Sequence, residues 1–229
     1  MRLTVRHRYH FGDERKLVGD DLVRPEAWDA LRTQSAGAFA MAHTREELEA
    51  QADSRPEIGE RTRLISDWLE TRGVNSLASY GVGGAVVELW LHRHSPSRRL
   101  IGTDYGQATL TQLREIFPEL EAVAHDLRKD PPLTADMHLF HRIDTEFSNR
   151  EFRALLRRFA HVPLLIVATD VHSLEGLAGE VRKRLVPGSS RAGWARNRAA
   201  FEALWRRTHD ATPLRFHDLE AWALEPRRR

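Results

Sequence analysis

No cysteine occurs among the 229 residues, which excludes a disulfide framework and any thiolate metal centre and points to a reducing, cytoplasmic setting. Lysine is nearly absent as well. The 35 basic residues include only Lys16, Lys129 and Lys183, and the rest are arginine, a usage expected of a GC-rich bacterial genome and silent about function. No apolar run approaches the roughly twenty residues of a membrane span, and the opening MRLTVRHRYHFG lacks the apolar centre of a secretion signal. An intracellular protein with no membrane partner is therefore expected. A surplus of one charge is missing too, with a formal net charge of +2. Arginine pairs such as Arg157 with Arg158, or Arg206 with Arg207, are interleaved with acids. They read as solvated helix faces, not as the basic stripe with exposed aromatics that nucleic acid requires. Internal repeats and low-complexity tracts are also lacking, and the length suits one substantial core.

The run SLASYGVGGAVVELWL, from Ser76, is a strand-like segment that breaks into Gly81, Val82, Gly83 and Gly84 and resumes with helical spacing. Glycines suit a loop that turns sharply and brings backbone N–H groups against a ligand. About twenty residues on, Leu100 to Thr103 form a second short strand with Asp104 at its carboxyl end, where a carboxylate can accept both hydroxyls of a ribose. ELEAVAHD gives a third strand ending at Asp126, ADMHLFHRID a fourth and VPLLIVATD a fifth. Strands alternating with helical patterns predict a parallel, doubly wound α/β sheet. The terminal PLRFHDLEAWALEP reads as two short strands around a tight turn, and GWARNRAAFEALWRRT as one helical segment. Before the sheet, apolar residues at Trp28, Leu31, Ala38 and Ala42, and again from Ile58 to Leu69, predict two helices, the second ended by Gly73. They are either scaffold or a lid over the mouth of the sheet.

In this ordered series the chain resembles the class I S-adenosylmethionine-dependent methyltransferases, from about Ile58 to Pro226. The resemblance implies a doubly wound, mostly parallel, seven-stranded Rossmann-like sheet with a C-terminal antiparallel hairpin. It implies a helical extension over residues 1–57 and a methyltransferase domain over 58–229. S-adenosyl-L-methionine is the implied cofactor. Gly81, Gly83 and Gly84 would lie under its methionine part, with Ser79 and Tyr80 before them. Asp104, followed by Tyr105, would hold the ribose, and Asp126 with Leu127 the adenine. His141, at the end of the fourth strand, would border both cofactor and acceptor. The loop departs from the family pattern at Ser79, where an acid is usual, and at Ala85, where the last glycine is usual.

Methyl transfer needs a nucleophile aligned with the methyl group and shielded from water. A hydroxyl or amine acceptor also needs a base, for which His141, Asp144, Asp170 and His172 are the candidates and His141 the first, because imidazole titrates near neutral pH. The acceptor expected is a small molecule or a glycan, with a homodimer the one protein assembly entertained. Trp194, Arg196 and Asn197, after PGSSRAG, either shape the acceptor pocket or begin an ordinary helix. A metal at His92 and His94, or at His138 and His141, is disfavoured: the first pair ends a helix, and strand alternation turns the second pair to opposite faces. Two rival readings are a nicotinamide oxidoreductase, whose third glycine is replaced here by Val86, and a non-catalytic cofactor-binding module.

Overall fold

The computed structural model describes residues 1–6, 26, 28, 29, 32, 41–169, 171–183 and 193–227. Strand β1 (Thr4–Arg6) is followed by α1 (Arg45–Asp53) and α2 (Pro56–Thr71). Next come β2 (Ser76–Tyr80), α3 (Val86–His94), β3 (Arg99–Asp104), α4 (Gln107–Ile116), β4 (Leu120–Ala124) and β5 (Met137–His141). A 3₁₀ turn (Asp144–Glu146) leads to α5 (Asn149–Arg158), β6 (Leu164–Val167), β7 (Val171–His172) and α6 (Leu174–Lys183). The chain then forms β8 (Trp194–Asn197), α7 (Arg198–Glu202), β9 (His209–Phe216) and β10 (Leu219–Pro226).

Seven strands make the main sheet in the order β4-β3-β2-β5-β6-β10-β9. The first five are parallel, and β10 and β9 close the sheet as an antiparallel hairpin. This is the doubly wound, seven-stranded architecture with a terminal hairpin that the sequence predicts. The hairpin strands are eight residues each, longer than expected. Strand order reverses at β2, which has β3 on one side and β5 on the other, and ligands of open α/β sheets bind in the crevice at such a reversal.

Each central strand is buried on both faces, so successive residues feed two cores. Leu77, Leu139, Leu165 and Val167 pack with α1 to α4, whereas Ala78, Tyr80, Phe140 and Ile166 pack with Phe152, Leu155, Phe159 and Trp222. The second core is aromatic: Tyr80, Phe140 and Phe159 meet edge to face with centroids 5.3–5.4 Å apart. Helix α5 docks there because Ser148 forms a capping box with Glu151 and the following turns present Phe152, Leu155 and Leu156 on one face.

Three expectations need correction. The third strand ends at Ala124, which leaves Asp126 in the turn beyond it. The segment after Gly193 is strand β8 before it is helix, since Trp194 to Arg196 pair with β1 and Arg196 with Val171 of β7 in a separate three-stranded sheet. Of the first predicted helix, Glu26, Trp28, Asp29 and Arg32 are helical and residues 33–40 lie outside the described ones, whereas Ala42 precedes α1, a separate helix that begins at Arg45 behind a Thr44 cap. The second predicted helix is α2, with Pro56 in its first turn and Gly73 past its end at φ +66°.

In β3, a Cβ on Gly102 would stand 2.7 Å from the buried Leu120 side chain of β4. Gly102→Ala is expected to cost about 1–3 kcal/mol by overpacking, measured by equilibrium urea unfolding. Gly179→Ala, in helix α6 with nothing within 4 Å, is expected to add about 0.5–1 kcal/mol instead.

Candidate active site

A cavity of about 530 Å³ opens at the carboxyl ends of β2, β3, β4 and β5. Its floor is the glycine loop, tied down where Gly81 N–H and Val82 N–H both donate to Thr103 O, at 2.8 and 3.0 Å. Gly81 (φ +72°) and Gly83 (φ +56°) take the left-handed conformation that glycine adopts without strain. Ala85 takes it too, at φ +55° as the N-cap of α3, the conformation that explains why glycine is usual at that position. A Cβ on Gly81 would touch Ile143 at 3.0 Å, whereas one on Gly84, a cavity residue, would meet nothing within 4 Å.

Asp104 ends β3 almost wholly buried, yet it borders the cavity. Its Oδ2 accepts from Gly83 N–H at 3.2 Å and from Arg32 Nη1 at 3.1 Å, and its Oδ1 accepts from Gly106 N–H at 2.9 Å. Arg32 also donates to Thr109 Oγ1 at 2.6 Å, with its guanidinium over the Trp28 ring, so the segment before α1 reaches the mouth of the cavity. Asp126 and Leu127 line the cavity beyond β4. Burial opposes ionisation of Asp126, but Arg128 N–H and the ammonium of Lys129 at 3.0 Å outweigh it and hold the carboxyl below its ordinary range. Tyr105 lines the same end, its phenol pushed up by burial and then by Glu146.

Past β5 the lining continues with His141 and Arg142, and Arg55 and Arg61 reach it from the start of α2 and its approach. The His141 Nε2 is buried with no hydrogen-bond partner. Burial, followed by Arg142 and Arg61, pushes this imidazole down to about 3. Arg61 is held by Asp218, in the β9–β10 turn, through Nη2 at 2.7 Å and Nε at 3.2 Å.

No family model and no curated protein matches this sequence. Solved structures do. Human N-acetylserotonin methyltransferase in complex with SAM is 14% identical, with a TM-score of 0.59 over 80% of this chain and 56% of its own. PigF with SAH is 12% identical, with a TM-score of 0.62 over 86% of this chain and 62% of its own. The plantazolicin methyltransferase BpumL, in complex with a desmethyl analogue and SAH, is 14% identical, with a TM-score of 0.52 over 80% of this chain and 90% of its own. The chain has the class I S-adenosylmethionine-dependent methyltransferase fold. It spans about three fifths of the length of the first two structures.

Within this methyltransferase fold, Gly81, Gly83, Gly84, Asp104, Tyr105, Asp126, Leu127 and His141 share one cavity lining. Four other predicted residues do not line it. Strand alternation turns Tyr80 away into the aromatic core, where its hydroxyl lies 3.0 Å from His138 Nδ1 and accepts from Leu133 N–H. Ser79 faces the correct side but lies beneath the loop, donating to Glu88 Oε1 at 2.6 Å. Asp144 is buried under the turn after β5, where Oδ1 accepts from the N–H and hydroxyl of Thr169, both at 2.8 Å. It anchors that turn to Thr169. His172 belongs to β7, away from the lining, and Asp170 lies outside the described residues.

Arg196 is also structural. Its buried guanidinium donates to Asn149 Oδ1 and to the carbonyls of Asp144 and Phe147, stapling β8 to the turn after β5. Asn197 caps α7 by accepting from Ala200 N–H, and Trp194 packs beneath Arg6. His94 stacks on Trp90 and His92 faces Phe117, while His138 stacks on Tyr80. No group of three or more histidine, aspartate or glutamate side chains suited to a metal occurs among the described residues, and no helix there is long and apolar enough to cross a membrane.

Sequence reading missed Arg32, Arg55, Arg61, Arg128 and Glu88. Only Glu88 left a signal, an acid on the apolar stripe of VVELWL. Burial pushes its carboxyl up to about 7 against the opposing bond from Ser79. The folded state therefore holds a proton that the unfolded chain releases near the ordinary value of 4.5. This contribution is fully present at low pH and is lost as pH rises from about 4.5 to about 7. The loss is on the order of 3 kcal/mol, because a tenfold difference in proton affinity between the two states corresponds to about 1.4 kcal/mol. Glu88→Gln, which keeps the bond to Ser79, is expected to flatten the stability profile across that window in pH-dependent urea unfolding.

Proposed function

We propose that this protein is an S-adenosylmethionine-dependent methyltransferase acting on a hydroxyl or amine of a small molecule or a glycan. The observation that carries the reading is the convergence of the glycine loop, Asp104 and Asp126 on one cavity at the point of strand-order reversal. The residues fit the cofactor. Gly84 leaves a cradle that a Cβ would fill, and Asp104 brings a buried carboxylate to the place for a ribose. A carboxylate accepts about four hydrogen bonds, and Asp104 already takes three, from Gly83, Gly106 and Arg32. Two ribose hydroxyls need one of these to give way, and Arg32, the only side chain among the three donors, is the one able to swing aside. Asp126 and Leu127 would bound the adenine, and Ser79 would act only through Glu88.

The bound cofactor would supply an electrophilic methyl carbon on a sulfonium. The chain's own work is to bind, align and exclude water. His141 offers an unpartnered Nε2 to the acceptor, but an imidazole depressed to about 3 is a poor base at neutral pH. We read His141 as orienting the acceptor, and the sequence-based expectation of a general base is what the pH profile of the rate tests. Alignment then supplies most of the rate. The similarity to human N-acetylserotonin methyltransferase supports a small-molecule acceptor by fold alone.

Calorimetric titration with S-adenosylmethionine tests the reading directly. Asp104→Ala should weaken binding about tenfold to a hundredfold, the equivalent of a lost charge-assisted hydrogen bond. Gly84→Ala should weaken it about tenfold or more by filling the cradle, with little change in folding. Tyr80→Phe, outside the cavity, should leave affinity alone. Affinity insensitive to both Asp104→Ala and Gly84→Ala in folded variants would remove the cofactor from this cavity. Once an acceptor is in hand, the rate profile of the wild type should show no ionisation from His141 between pH 6 and 8, and a protonic step at neutral pH that disappears in His141→Gln would restore the base.

A further inference from the structure

The charged side chains of the cavity lining are the acids Asp104, Asp126 and Glu146 and the arginines Arg32, Arg55, Arg61, Arg128 and Arg142. Asp104 holds Arg32, and Arg128 acts on both Asp126 and Tyr105. Both Arg61 and Arg142 act on the His141 imidazole. Arg61 is occupied by Asp218, which does not itself line the cavity. Arg55 differs. It is half-buried on the approach to α2 and lines the cavity, and its side chain makes no hydrogen bond or ion pair among the described residues. Gln51, Ile58, Val86 and Val87 line the same cavity.

A partly desolvated guanidinium presents a rigid fork of donors matched to a carboxylate, and a low-dielectric surround strengthens the pair. We propose that the methyl acceptor is a small organic acid and that Arg55 holds its carboxylate. This rests on the methyltransferase reading for the identity of the acceptor site, but the anion site itself depends only on Arg55. A glycan with no acidic group is disfavoured on the same ground.

The test uses a panel of aromatic and aliphatic acids, among them benzoate, 4-hydroxybenzoate, phenylacetate and succinate, each paired with its uncharged amide. Binding to the full chain is measured by calorimetry or ligand-observed NMR, with and without S-adenosylhomocysteine. At least one acid should bind about tenfold or more tightly than its amide, the preference expected of a charge-assisted pair. Arg55→Gln should erase that preference, and Arg55→Lys should retain part of it. Because the Arg55 side chain makes no hydrogen bond or ion pair among the described residues, circular dichroism should show both variants folded. No acid preferred over its amide, or a preference that survives Arg55→Gln, overturns the proposal. Acid selection through Arg55 without S-adenosylhomocysteine binding would remove the methyltransferase reading and leave the anion site standing. Cofactor binding without acid selection would do the reverse.

Discussion

The carboxylate of Asp104 joins three parts of the chain that otherwise have no reason to meet. It receives the N–H of Gly83 from the glycine loop, the N–H of Gly106 from the turn into α4, and the guanidinium of Arg32 from the segment before α1. A buried carboxylate without such donors would carry a large desolvation penalty. With them it becomes the fixed point around which the loop, the turn and the N-terminal segment are set. Arg32 is in turn braced by Thr109 and Trp28, so the mouth of the cavity is defined by one ionic contact and its supports.

Strand alternation decides the rest of the geometry. Because β2 and β5 are buried on both faces, Ser79 and His141 fall on the side of the loop and α3, whereas Tyr80 and His138 fall in the aromatic core. Tyr80 takes His138 and the Leu133 N–H as partners on its side, and its phenol rises to about 12 because burial disfavours the phenolate. Ser79 takes Glu88 on the other, which keeps a carboxyl beneath the glycine loop although the strand residue is not an acid. The acid comes from the helix after the loop instead of the strand before it.

The charged lining bears on what the cavity could hold. Asp104 and Asp126, at the ends of β3 and β4, could accept from hydroxyl and amino donors, while Arg55 could pair with an anion. Burial first, then Arg142 and Arg61, keep His141 neutral. Under the proposed function such an imidazole would orient a nucleophile and would be a poor base for it.

Much of this was legible in the chain. Short apolar runs between helical patterns named β2 to β6, glycines at 81, 83 and 84 named the loop, and the interval to Asp104 named the second strand end, because these depend on local spacing and backbone freedom alone. Tertiary structure decided which side of the sheet each residue joined, and so turned Tyr80 and Asp144 into packing residues. It turned the Trp194–Asn197 segment into a strand, because β1 and β7, distant in sequence, offered it ladders. It also brought Arg32, Arg55 and Arg61 to the cavity and lowered the His141 imidazole. Those outcomes rest on burial and on charges distant in the chain, and local sequence pattern carries no record of either.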